Sequence, residues 1–132
     1  MRVILFRGKR TDNGEWAYGV PTKDSHGETL MVESVYECEE YNCRGANCLY
    51  VDENTVGQYT GSTDKNGTKI FEGDIVKRYW LAENHIYTVA YDNGLASFIG
   101  QRNANYTTFD CDATELEIIG NIYDNPELLE EV

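Results

Sequence analysis

Four cysteines are the residues of this chain whose side chains could most directly hold a metal ion. Cys38, Cys43 and Cys48 follow one another at five-residue intervals, and Cys111 lies far downstream. Zinc sites favour cysteine pairs with two to four residues between them, so this spacing lies at the upper limit. Residues five apart point to different sides of a helix and to opposite faces of a strand. We therefore expect a loop with incidental thiols and no metal, with a metal-binding module as the alternative.

A run of carboxylates is the second candidate for chemistry. Asp110, Asp112, Glu115 and Glu117 lie in one short segment. Acid–base hydrolysis needs two carboxyl groups that face each other across a cleft in unlike environments. The run also lacks the glycine and the final glutamate that a calcium-binding loop requires. The pattern therefore predicts the solvated face of a strand and no catalytic residue.

The histidines and glycine-rich segments indicate no known catalytic motif. His26 and His85 stand alone, without a serine or cysteine at a recognisable spacing, and residues 82–85 read as an exposed turn. Residues 57–61 are bounded by glycines but lack the lysine with which a P-loop holds phosphates. We therefore predict no catalytic, cofactor-binding or metal-binding residue and expect a protein that is not an enzyme.

An aromatic pair beside basic residues allows two interpretations. Trp16 and Tyr18 share one face of a predicted strand, and the basic residues Arg7, Lys9 and Arg10 lie near them in the sequence. Stacking side chains next to positive charge are typical of proteins that bind single-stranded nucleic acid. Aromatic side chains also fill the cores of small β proteins. Because the whole chain is acidic and would repel phosphates, we favour the core position.

Short strands separated by tight turns are the elements that must position these side chains. Asn-Gly pairs at residues 13–14, 66–67 and 93–94 each predict a type I′ hairpin turn, whose two central residues have positive φ. Alternating, β-branched or aromatic runs predict strands at residues 3–7, 15–20, 30–35, 55–60, 75–80, 86–91, 95–100 and 116–122.

The end of the chain carries the clearest helix signal, with Asn125 as the cap and Pro126 at the first helical position. The fold class predicted is all-β: small open or closed barrels or sheets of short antiparallel strands with hairpins, SH3-like barrel character in the second half, and a short C-terminal helix. We expect one domain over residues 1–132, with lobes at 1–62 and 63–132 and a hinge within 61–67.

Seven short motifs are spread along the chain from Phe6 to Leu129. They are residues 6–10 (FRGKR), 14–16 (GEW), 18–19 (YG), 55–61 (TVGQYTG), 64–67 (DKNG), 71–76 (FEGDIV) and 119–129 (IGNIYDNPELL). In this order they resemble the YopX family of phage and prophage proteins, whereas residues 35–49 and 101–114 depart from the pattern. The resemblance implies an all-β, phage-derived intracellular protein and supplies no catalytic residues.

The distribution of charge limits the kinds of partner that the protein is expected to bind. The chain has 11 basic and 23 acidic residues, a net charge of −12. Its first ten residues hold four basic residues and no acid, whereas residues 103–132 hold eight acids and no base. This balance disfavours general nucleic-acid binding and binding to anionic membranes. We expect an acidic protein-interaction module whose C-terminal third contacts a basic host or phage protein, with a nucleic-acid-associated regulatory module as another alternative.

The same charge asymmetry, together with exposed strand edges, predicts a homo-oligomer, with the basic N-terminal segment docked against the acidic C-terminus of the same or a neighbouring chain. The apolar run at residues 3–6 is shorter than the core of a signal peptide. No segment has the roughly 18 apolar residues of a membrane-spanning helix. We therefore expect the protein in the cytoplasm of a bacterial host cell.

Overall fold

The structure, a computed structural model, describes residues 4–38, 43–80, 82–102, 105–108 and 115–129. Among them are eleven strands: β1 (Phe6–Lys9), β2 (Trp16–Lys23), β3 (Thr29–Cys38), β4 (Cys43–Tyr50), β5 (Gly57–Thr63), β6 (Lys69–Phe71), β7 (Asp74–Trp80), β8 (Glu83–Asp92), β9 (Ser97–Arg102), β10 (Asn105–Thr108) and β11 (Leu116–Asn121). Two short 3-10 helices span Glu53–Thr55 and Pro126–Leu129. The chain divides into two compact units, Met1–Gln58 (unit 1) and Tyr59–Val132 (unit 2), at a point inside β5.

Unit 1 is an antiparallel sheet with the strand order β4-β3-β2-β1, followed by the first residues of β5. Its core consists of Ala17, Met31 and Val51, with Phe6 and Leu49 packed against them. Side chains alternate between the two faces of a strand, so Ala17 points into the core and its neighbours in β2 point away. Gly8 lies in the same core, where a Cβ would come within 3.1 Å of Val51.

Unit 2 contains a five-stranded antiparallel sheet with the order β10-β9-β8-β7-β11, and β6 pairs there with β5. Its core is formed by Ile70, Val76, Val89 and Leu116. The sheet is strongly curled, because Arg78 on β7 reaches Thr107 on β10 across the two strands between them. Gly100 on β9 permits this curl, since a Cβ there would lie 2.9 Å from Cβ of Tyr87.

The all-β fold predicted from the sequence is confirmed, and the strands form open antiparallel sheets instead of closed barrels. Three described strands were not predicted: β4, β6 and β10. The predicted loop around the cysteines is wrong for the described part, because Cys43 begins β4 and Cys48 lies within it. The predicted lobe boundary and hinge fall near the observed division, although residues 61–63 lie within β5.

The predicted type I′ turns at the three Asn-Gly pairs are wrong. Among described non-glycine residues only Ala82 and Ala96 have positive φ, so none of the three asparagines adopts the required conformation. At residues 64–68 the Asp64 side chain instead accepts hydrogen bonds from the backbone N–H groups of Asn66 and Thr68. This side chain favours a longer turn in which only Gly67 has positive φ.

The predicted C-terminal helix is present as one 3-10 turn, Pro126–Leu129, but Asn125 does not cap it as expected. The side-chain oxygen of Asn125 accepts a hydrogen bond from the backbone N–H of Asn121, 3.3 Å away. Gly120 makes room for this contact, because a Cβ there would come within 2.6 Å of the Asn125 oxygen. Asn125 therefore joins the turn to the end of β11.

Candidate functional site

The non-core face of the unit 1 sheet carries the aromatic and basic residues that the sequence singled out. Arg7 pairs with Tyr18 and Lys9 with Trp16 across β1 and β2, so all four side chains lie on the same face. Val20 continues this face along β2, and Tyr50 lies on it at β4. We call this surface the outer face, and its residues are Arg7, Lys9, Trp16, Tyr18, Val20, Leu30, Val32 and Tyr50.

The preferred interpretation of Trp16 and Tyr18 as core residues is therefore wrong. Ala17, which lies between them, is the residue that enters the core. Tyr18 and Val20 are 45% and 53% exposed, and Tyr50 on the far side of the sheet is 48% exposed. Three large side chains with apolar surface are therefore exposed on one face of the sheet.

Two cations stack on the Trp16 ring. The guanidinium carbon of Arg7 lies 4.2 Å from the ring centroid, and the Lys9 ammonium lies 5.3 Å from it. These distances fall within the range of cation–π attraction. The Lys9 ammonium also donates a hydrogen bond to the backbone carbonyl of Gly14. The β1 side of the outer face therefore holds two basic side chains that orient Trp16, and one of them, Arg7, is itself buried.

The β4 side of the outer face is acidic. The Tyr50 hydroxyl donates a hydrogen bond to Asp24, 3.0 Å away, and this contact raises the pKa of the tyrosine. The backbone N–H of Glu28, followed by that of His26 and by the Tyr50 hydroxyl, holds the pKa of Asp24 below its ordinary value. Asp24 therefore stays ionised at neutral pH and places a carboxylate beside Tyr50 at the β4 side of the outer face.

A groove of about 720 Å³ opens at one end of unit 1. It is bordered by the β1–β2 loop, the β2–β3 turn and the first 3-10 helix, and His26 lies exposed on its rim. Among its charged side chains, Lys23 forms an ion pair with Glu53 over 2.8 Å, and Arg10 forms one with Asp12, outside the lining, over 2.7 Å. The groove therefore presents a nearly neutral lining.

The acidic run near the C-terminus is only partly described, since Asp110 and Asp112 lie outside the described residues. Glu117 lies 3.3 Å from the ammonium of Lys65 and 3.5 Å from that of Lys77. Glu115 lies 3.4 Å from Arg78. Leu116 between them is buried, in agreement with the predicted alternation. Both described carboxylates of the run therefore have basic partners within unit 2.

The cysteines do not gather around one point in the described part of the chain. Cys38 and Cys43 are direct partners in the β3–β4 register, and Cys48 is a free, exposed thiol paired in register with Val32. Cys111 lies outside the described residues. Within the described ranges, no three His, Cys, Asp or Glu side chains lie together so that they could hold a metal ion.

His85 was predicted in an exposed turn, and this prediction is wrong. It lies in β8, half-buried, directly opposite Arg78 in β7. A terminal nitrogen of Arg102 lies 3.0 Å from its Nδ1. Sequence reasoning missed the resulting group of Arg78, His85, Arg102 and Thr107, because its members come from four strands. The residues were visible in the sequence, but only the register and the curl of the sheet bring them together.

The comparison with protein families decides the identity of the chain. The model of the family described as YopX protein matches residues 5–130, nearly the whole sequence. The chain belongs to the YopX family. No curated protein matches it. Among solved structures, the YopX chain is similar to protein EF1440 from Enterococcus faecalis, with 22% identity and a TM-score of 0.62. The match covers 98% of this chain and 99% of that one, and it supports the fold.

The family motifs in this YopX chain coincide with turns and close contacts of the fold. Asp64 of the DKNG motif and Asp74 of the FEGD motif are buried, and each accepts backbone hydrogen bonds in its turn. Gly73 has a φ of 89° and lies against the Tyr123 ring. These residues therefore maintain the structure. No helix among the described residues is long and apolar enough to cross a membrane.

Proposed function

We propose that this YopX-family protein is a non-enzymatic interaction module that self-associates through the outer face of unit 1. The observation that supports the proposal is the exposure of Tyr18, Val20 and Tyr50 on the outer face, while the opposite face of the same sheet packs against the core of unit 1. Burial of such side chains against a second copy removes apolar surface from water, which is the main driving force of association. We further propose that the protein is of phage or prophage origin and acts in the bacterial cytoplasm.

Charge complementarity favours a second copy as the occupant of this face. The basic residues Arg7, which is buried, and Lys9 lie at the β1 side, and the acidic residue Asp24 lies at the β4 side. A two-fold axis in the interface that exchanges the two sides brings the basic side of each copy to the acidic side of the other. In such an isologous contact both copies use the same surface, so each contact between a basic and an acidic residue occurs twice in the dimer.

Light scattering tests this proposal over a range of chain concentrations. We expect the mass of the wild-type chain to rise from one copy to two, and the double variant Tyr18→Ser, Val20→Ser to dimerise at least about tenfold more weakly, since each apolar side chain buried contributes roughly 1.5–3 kcal/mol. The matched control is Tyr79→Ser, which alters a tyrosine of unit 2 that is 66% exposed. A wild-type mass that stays at one copy throughout contradicts the proposal.

A basic host or phage protein is a second candidate partner, favoured by the net charge of −12. Such a charge steers basic proteins to the surface and excludes nucleic acid. We expect immobilised protein to capture a basic protein from host lysate, with release by moderate salt and no effect of nuclease. Capture that disappears after nuclease treatment contradicts this candidate and favours the nucleic-acid alternative, in which Trp16 and Tyr18 stack on bases.

A further inference from the structure

We propose that Asn93, in the turn between β8 and β9, is a site of spontaneous modification, where the folded chain loses a side-chain amide faster than at its two other Asn-Gly pairs. Asparagine is most prone to this reaction when glycine follows it, because glycine has no Cβ to hinder an attack by its backbone nitrogen. The three pairs lie at residues 13–14, 66–67 and 93–94, and all six residues are exposed. The inference does not rest on self-association.

The reaction, deamidation, needs a free glycine nitrogen and a free asparagine side chain. The glycine nitrogen loses its proton and attacks Cγ of the asparagine, so that an N–C bond forms, the Cγ–Nδ2 bond breaks and ammonia leaves with the proton. Water then opens the cyclic imide, at Cγ to give aspartate or at the main-chain carbonyl carbon to give isoaspartate. A hydrogen bond that holds the glycine N–H or the asparagine amide must break before the ring can close.

Hydrogen bonds hold two of the three pairs. The Gly14 N–H donates to a carbonyl oxygen of its own turn over 3.0 Å, and the Asn13 side-chain oxygen accepts a bond from the backbone N–H of Glu15 over 2.9 Å. The Gly67 N–H donates to the carbonyl oxygen of Asp64, also over 3.0 Å. The attacking nitrogen is therefore engaged in both pairs, and in the first pair the amide under attack is held as well.

The third pair lies in a turn of different construction. Asp92 ends β8 and pairs in register with Ser97, and its side chain accepts a hydrogen bond from the backbone N–H of Leu95 over 3.0 Å. Among the described residues, neither the Gly94 N–H nor the Asn93 side chain has a hydrogen-bond partner. The contacts that fix this turn thus leave the pair itself free, so the ring can close without the loss of a hydrogen bond.

The modification changes both the charge and the backbone of the turn. Either product replaces an amide with a carboxylate and adds one negative charge to a chain whose net charge is −12. Isoaspartate also places an extra methylene group in the main chain between β8 and β9, and it is the substrate of carboxyl methyltransferases that repair it. Asn93 therefore marks aged copies of the chain with a group that such an enzyme recognises.

The test is incubation of the full wild-type chain at mildly alkaline pH, followed by peptide mapping with mass spectrometry, which detects the change from an amide to an acid. We expect Asn93 to react at least about fivefold faster than Asn66, since a backbone hydrogen bond contributes about that factor. Asn13 should be slowest, because its side chain is held as well. The product at residue 93 should accept a methyl group from S-adenosylmethionine when an isoaspartate carboxyl methyltransferase is added.

The same chain unfolded in urea is the matched control, because unfolding removes the hydrogen bonds and leaves the sequence unchanged. An aspartate precedes both Asn13 and Asn93, so in urea we expect these two residues to react at similar rates. The variant Asn93→Gln, whose longer side chain must close a larger ring, should stay intact at residue 93. Equal rates at the three pairs of the folded chain, or an equal preference for residue 93 in the folded and the unfolded chain, contradict the proposal.

Discussion

Alanine at position 19 is expected to destabilise unit 1 more than a substitution at any other described glycine of that unit. Gly19 lies in β2 where the backbone of β3 passes directly against it. A Cβ there would overlap the carbonyl oxygen of Val32 and lie 2.7 Å from the carbonyl carbon. Backbone atoms in a paired strand have little freedom to retreat, so the β2–β3 register must distort. We expect a loss of about 3–5 kcal/mol, the range of severe strain in a core.

Urea unfolding followed by the fluorescence of Trp16 measures this effect in a Trp80→Phe background, where Trp16 is the sole tryptophan. Gly14→Ala is the matched control, because Gly14 has a φ of 73° but no atom within 4 Å of its Cβ position. Its expected cost is about 1 kcal/mol, from the left-handed conformation alone. Equal midpoints for the two variants contradict the claim that the close approach at Val32 determines the requirement for glycine.

Replacing Asp64 with alanine is expected to destabilise unit 2 by about 3 kcal/mol, because it leaves buried backbone donors without acceptors. The Asp64 carboxylate accepts hydrogen bonds from Asn66 and Thr68 in its own turn and from Ile118 in β11, over 2.9, 2.9 and 3.1 Å. It is 4% exposed, so water cannot readily replace these bonds. Asp64 thus joins the β5–β6 turn to the outermost strand of the five-stranded sheet.

Asp24 provides the matched control for this substitution. Its side chain accepts the same two turn hydrogen bonds, from His26 at 2.8 Å and Glu28 at 3.0 Å. Asp24 is partly exposed, and its third contact is a tyrosine hydroxyl instead of a strand N–H. We therefore expect Asp24→Ala to cost about 1 kcal/mol in thermal or urea unfolding. A cost for Asp64→Ala as small as that for Asp24→Ala contradicts the role given to the contact with Ile118.

Lowering the pH should reproduce part of the loss of stability that Asp64→Ala causes. Burial raises the pKa of this carboxyl. The hydrogen bonds from the N–H groups of Ile118, Thr68 and Asn66 and the charge of Lys65 together lower it by more, so the pKa lies below its ordinary value. A carboxyl with a depressed folded pKa stabilises the fold above its unfolded pKa of about 3.9, and this contribution is lost as the pH falls through the folded value. Urea midpoints of the wild type should fall more steeply below about pH 4 than those of Asp64→Asn.

The fold class could be predicted from the sequence because the patterns that indicate strands are formed by residues that are close together in the chain. β-Branched and aromatic runs predicted most strands, and the alternation around Leu116 placed that residue in the core correctly. The turn at residues 64–68 was mispredicted because the Asn66-Gly67 pair was given more weight than Asp64, two residues before it. In the observed turn the Asp64 side chain binds two backbone N–H groups, and this contact selects a longer turn than the dipeptide alone favours.

The candidate functional surface could be predicted less well, because it depends on which face of a strand meets the core. Trp16 and Tyr18 share a face, as their spacing required, but the spacing could not show that Ala17 and Met31 fill the opposite side. The contact of Arg78 with Thr107 joins β7 and β10, which are distant in the sequence. His85 looked like a turn residue because Glu83 and Asn84 are polar, although both lie in β8 opposite Trp80 and Tyr79.

The most direct test of the central claim, that the outer face of unit 1 mediates self-association, is quenching of Trp16 by iodide in the Trp80→Phe chain at increasing chain concentration. We predict that Trp16 becomes less accessible to iodide over the same concentration range in which light scattering shows the mass doubling. If the mass doubles while quenching of Trp16 stays constant, the copies meet through another surface. If neither quantity changes with concentration, the outer face does not mediate self-association.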